Sequence, residues 1–137
     1  MRRHELHRRL RRALRNDART LKVSRTTLDG NRTDGVGAAV YNAPGNALVL
    51  TRVKMRSNEA GLRAAIPFGG VGGAICNGAA NGSYGSVRVL RSVITGNRAS
   101  VAGGGIANGG TVVVKGGVLA GNSPDDCFDG GDGAGCP

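Results

Sequence analysis

The sequence predicts an all-β chain, a short parallel β-helix of about four turns, entered through an N-terminal basic amphipathic helix. Three observations support this. Aliphatic residues recur at fixed distances from four asparagines, the residues between them alternate with the period of a strand, and most of the 25 glycines fall at the joints between such segments.

The helix comes first. Leu6, Leu10 and Leu14 follow one another at four-residue spacing, Ala13 and Ala18 lie near that stripe, and no Gly or Pro occurs before Gly30. That pattern reads as an amphipathic helix over 1–20, with arginines on its other faces. Ten bases against Glu5 and Asp17 give residues 1–25 a charge of +8, out of a formal total of +10. The remaining body is nearly neutral at +2. The arm is read as a solvated cap whose leucines cover the open end of the body. Nucleic-acid binding through residues 1–25 is the alternative, since each arginine can neutralise a phosphate. No aromatic residue interleaves the arginines, which argues against stacking on single-stranded bases. Met1 to Lys22 has a basic start but no apolar h-region of a secretory leader. No apolar run approaches the length of a transmembrane helix.

The body, residues 21–127, is a repeat. Asn31, Asn58, Asn97 and Asn122 anchor it. Three residues before each stand Leu28, Met55, Ile94 and Leu119; eight before, Val23, Leu50, Val89 and Val114; ten before, Leu21, Leu48, Val87 and Val112. The residue preceding each anchor is small: Gly30, Ser57, Gly96 and Gly121. Between anchors lies a second motif, Gly37 to Asn42, Gly72 to Asn77 and Gly103 to Asn108, in which Val40, Ile75 and Ile106 sit two residues before Asn42, Asn77 and Asn108. Anchor-to-anchor spacings are 27, 39 and 25 residues.

Pairs such as Val87-x-Val89 alternate with period 2, so one side chain in two faces inward from a short strand. Glycine and asparagine tolerate the positive φ of tight corners. A single unit cannot bury its aliphatic side alone, whereas stacking unit on unit at roughly 4.8 Å does so. Equivalent asparagines then stack as well and pass amide hydrogen bonds from turn to turn.

Gly72-Gly73-Ala74-Ile75, its variants at Gly37 and Gly103, and the aliphatic-x-x-Asn segments ending at the four anchors resemble the repeats of polymorphic outer-membrane proteins. These and related bacterial right-handed β-helix proteins belong to the pectin-lyase-like superfamily. The resemblance covers about residues 21–127. It implies a right-handed coil and suggests a secreted or cell-surface location, and it says little about activity.

Chemical candidates are few. Cys127 and Cys136 bracket a Gly/Asp-rich tail, residues 128–137; they are a candidate disulfide in an oxidising compartment or two free thiols. Cys76 should point away from Ile75, with no histidine near it in sequence. Asp125, Asp126, Asp129 and Asp132 invite a calcium reading, but EF-hand spacing is absent, and a solvated acidic turn is the default. Paired catalytic carboxylates are not suggested either, since Asp29, Asp34 and Glu59 are the only acids of turns 1 to 3. The expectation is a non-catalytic structural, surface or adhesion-like protein with no catalytic residues, no metal and no cofactor. A carbohydrate-active remnant is a second alternative beside the nucleic-acid arm. Binding to a protein or glycan surface falls to turn 2, where the connections Glu59 to Val71 and Gly78 to Ser86 are longer than their counterparts. They carry Arg63, Phe68 and Tyr84.

Overall fold

A computed structural model describes residues 8–10, 14–61, 70–130 and 136–137. The chain runs through four parallel sheets in a repeating order, and each circuit stacks on the one before. Face 1 holds the longest strands, Thr20–Ser24, Ala47–Thr51, Ser86–Leu90 and Thr111–Lys115. Face 2 follows with Arg8–Leu10, Thr26–Asp29, Lys54–Arg56, Val93–Thr95 and Val118–Leu119. Face 3 is short: Arg32–Thr33, Glu59–Ala60 and Arg98–Ala99. Face 4 closes the circuit with Leu14–Asn16, Val40–Asn42, Ile75–Asn77, Ile106–Asn108 and Cys127–Asp129. This is a parallel β-solenoid.

The register puts like above like. Leu48 pairs with Leu21 and Val87, and Leu50 with Val23 and Val89. On face 2 Met55 lies between Leu28 and Ile94, and on face 4 Ile75 lies between Val40 and Ile106. Every aliphatic position of the repeat belongs to one continuous core or packs against it, with Leu21, Val114 and Leu119 the partly exposed ones at the ends. Val53 joins that core from the turn between faces 1 and 2; its counterparts Thr26 and Ser92 are buried too, each hydroxyl donating to a backbone carbonyl two residues back.

The corners are made by residues with φ between 50° and 72°. One set stands between faces 1 and 2: Arg25, Arg52, Arg91 and Gly116. A second set stands just before the anchors: Gly30, Ser57, Gly96 and Gly121. A third opens face 4 at Gly37, Gly72 and Gly103. The asparagine anchors stack as expected, lying inside the coil while the residue before each one makes the corner. Asn31, Asn58 and Asn97 each donate from Nδ2 to the next anchor's Oδ1 at 2.8–2.9 Å, ending on Asn122. Asn42 donates to Asn77, and Asn77 to Asn108, in the same way.

The predicted N-terminal helix is absent among the described residues. Arg8–Leu10 is a strand in register with Thr26–Leu28, and Leu14–Asn16 pairs with Val40–Asn42. Four-residue spacing is also an even number, so a leucine every fourth residue satisfies a strand as well as a helix. The deciding feature is Asn16, whose Nδ2 donates to Asn42 Oδ1 at 2.8 Å, making Leu14-Arg15-Asn16 a further copy of the face-4 triad. The stacked coil thus extends beyond residues 21–127 at both ends. Phe128 and Asp129, expected in a separate tail, form its last strand.

Candidate functional site

Face 4 presents its middle residues outward because the flanking ones, such as Val40 and Asn42, turn in. The outward row, in register, is Arg15, Tyr41, Cys76, Ala107 and Phe128. Two rings stand three coils apart with two small residues between them, and this makes a groove of about 430 Å³. Cys76 and Ala107 form its floor; Tyr41 and Phe128 are its end walls.

Each wall is held in place. The Arg15 guanidinium lies 4.7 Å from the Tyr41 ring centroid, a cation–π contact, and is also paired with Asp17 at 2.8 Å. Phe128, 42% exposed, sits on the terminal strand, which a disulfide between Cys127 and Cys136 ties to the chain end. Next to it Asp129 accepts hydrogen bonds from Asn108 Nδ2 and from the Cys136 backbone N–H.

The two sides of the groove border the two long connections. Gly78 and Ala79 line one rim, where the Gly78–Ser86 connection folds into an antiparallel hairpin pairing Ala79 with Tyr84. Tyr84 is 53% exposed at that pairing, beside the groove rather than in its lining. Val36 and Val71 form the opposite rim, bridged in parallel. Arg63 and Phe68 precede Val71 in sequence and lie outside the described residues.

Among the described residues no carboxylate or histidine lines this groove. The Cys76 thiol is pushed up to about 11 by burial, so at neutral pH it is a half-buried neutral thiol and a poor nucleophile. The arrangement provides contact area and ring faces, with no proton-transfer machinery in the lining. Among the described residues no three His, Cys, Asp or Glu side chains gather as metal ligands. Asp126 and Asp129 have structural partners: they accept from Asn122 and Asn108, the last asparagines of the two ladders.

Sequence reasoning missed the groove. The triads Val40-Tyr41-Asn42, Ile75-Cys76-Asn77 and Ile106-Ala107-Asn108 were visible, but Cys127-Phe128-Asp129 is a further copy in which aspartate replaces asparagine. Recognising that substitution would have put Phe128 in line with Tyr41. No protein-family model matches the sequence, and neither the curated proteins nor the solved structures yield a significant match.

Proposed function

We propose that this chain is a non-catalytic β-solenoid that binds an extended glycan along the face-4 groove, as part of a structural or adhesion-like role. The observation that carries this reading is the placing of Tyr41 and Phe128 at the two ends of a small-residue floor. The rings stand three coil steps apart, about 14 Å, enough for roughly three sugar units on the same dimension. Aromatic faces accept the apolar face of a pyranose, and the small floor residues Cys76 and Ala107 leave room for it between the rings. A right-handed coil is part of the proposal, because parallel crossovers are overwhelmingly right-handed. So is kinship with polymorphic outer-membrane-type repeats, supported by the Gly-Gly-Ala-Ile and aliphatic-x-x-Asn motifs. The Cys127–Cys136 disulfide supports an oxidising location, secreted or at a cell surface.

Glycan-array binding of the full chain tests the reading, followed by titration of the best ligand against Tyr41→Ala and Phe128→Ala. Each variant should weaken binding at least about tenfold, the loss of one desolvated aromatic contact. Binding indifferent to both substitutions, or no glycan bound at all, overturns it.

A further inference from the structure

The near-neutral body expected from composition is strongly sided. Of its described carboxylates only Asp29 lies on face 1, face 2 or the corner between them, and Arg56 already bridges it at 3.3 Å. The bases collect on that same side. Arg25, Arg52 and Arg91 occupy one corner in three successive coils, each donating its backbone N–H to the coil that follows. Steps of roughly 4.8 Å separate successive rungs. With Lys54 they line a groove of about 410 Å³ floored by Thr26 and Val53. All four side chains are exposed, and none is ion-paired among the described residues. Lys22, Arg88 and Lys115 flank the ladder on face 1.

The backbone makes these arginines costly. Their φ values are 50°, 56° and 50°, a region where an L side chain is strained by about 1–2 kcal/mol. The fourth rung is Gly116 at φ 65°, which shows what the corner itself demands. Three coils nevertheless carry arginine there, and strained positions of this kind cluster at binding surfaces.

We propose that this corner binds the phosphate backbone of double-stranded nucleic acid. The planar guanidinium fork matches phosphate oxygens in pairs, and sixteen of the nineteen bases are arginine. Among the described residues no aromatic side chain lies on the ladder or its groove, which favours a duplex held by its phosphates over splayed bases or sugar rings that need a face to stack on. Strand Arg8–Leu10 extends face 2 by one step and places Arg9 in register with Thr27. This site shares no lining residue with the aromatic groove and does not depend on it.

The test is anisotropy of a fluorescein-labelled duplex of roughly 20 base pairs against the full chain, from about 50 to about 300 mM salt. The variant is Arg25→Gly/Arg52→Gly/Arg91→Gly, which adopts the Gly116 solution at every rung and so should fold at least as well. It should bind on the order of 100-fold more weakly near 0.1 M salt, with a log–log salt slope shallower by about 2–3. Arg32→Gln/Arg98→Gln, on face 3, should leave both quantities nearly unchanged. Duplex binding by the triple variant equal to wild type overturns the proposal. So does tighter wild-type binding to single-stranded DNA, to heparin or to phosphatidylserine vesicles than to the duplex.

Discussion

Asn108 donates from Nδ2 to Asp129 Oδ1 at 2.7 Å, and this contact ends a ladder that starts at Asn16. Every rung before it runs the same way, with the amide of one coil donating to the oxygen of the next. The anchor ladder ends alike, on Asp126, which accepts both the backbone N–H and the side-chain amide of Asn122 at 2.9 and 3.0 Å. An ionised carboxylate only accepts. It therefore closes a one-directional chain of donors without presenting a further donor, Asp129 from the asparagine position of the next coil and Asp126 from four residues beyond Asn122.

Position along a ladder should set the cost of losing a rung. Asn58 accepts from both the backbone N–H and the side chain of Asn31, and donates to Leu28 O and Asn97 Oδ1, all in the dry interior. Asn58→Ala should cost about 3 kcal/mol or more, because buried donors and acceptors lose their partners together. Asp129→Asn keeps an acceptor at an exposed end and should cost less than about 1 kcal/mol. Urea denaturation of the two variants measures the contrast, and similar midpoints would refute a ladder role.

Corner residues should sort by space as well as by φ. At Gly103, φ +67°, an added Cβ would fall 2.7 Å from Ile106 O and 2.8 Å from Ala107 backbone atoms. Gly103→Ala should destabilise by more than about 2 kcal/mol, since strain and overlap with backbone add. Arg52→Gly, at φ 56°, should raise stability by a few tenths to about 1 kcal/mol, strain relief outweighing the entropy of the freer unfolded chain. Thermal melts of the pair should move in opposite directions.

How much of this was readable beforehand divides along physical lines. Core aliphatics and asparagines, such as Leu50 and Asn58, could be read because a stacked coil makes the same burial demand in each turn and so repeats residue types. Outward residues answer to no such demand. Tyr41, Cys76 and Ala107 share a register position and no chemistry, so only the pairing of coils shows that they make one surface. Arg25, Arg52 and Arg91 do repeat, but arginine is an unexpected residue at positive φ, and charge counted along the chain hides a stripe that gathers one base from each coil. Leu10 and Leu14 misled for another reason: a spacing of four fits both periods, and the arginines around them imitate the polar face of a helix.

Ionisation of Cys76 should give the solenoid an alkaline edge. Burial raises its pKa from 9.0 to about 11, so between those values the unfolded chain loses a proton that the native chain keeps. Stability therefore stays level below about pH 9 and falls as pH rises toward 11, by at most about 2–3 kcal/mol. Cys76→Ala should flatten that part of the pH–stability curve. In the native protein, alkylation of this thiol by iodoacetamide should be slow at pH 8 and speed up once urea unfolds the chain. Equal rates folded and unfolded would show that the thiol is not protected.

Reduction of Cys127–Cys136 should be felt at the Phe128 end of the groove before anywhere else. The bridge spans nine residues, and a loop of that size contributes about 2–3 kcal/mol by restricting the unfolded chain. Among the described residues the strand it holds pairs only with Ile106–Asn108, so one side of it carries the whole loss. Hydrogen exchange with and without reductant should show faster exchange at Ile106 and Gly130, whose N–H groups bond across that last step. Protection at Leu50 and Val89, in the central coils, should be unchanged. A uniform loss of protection would mean that the coil unfolds as one unit and that the terminal strand is no separate lid on its end.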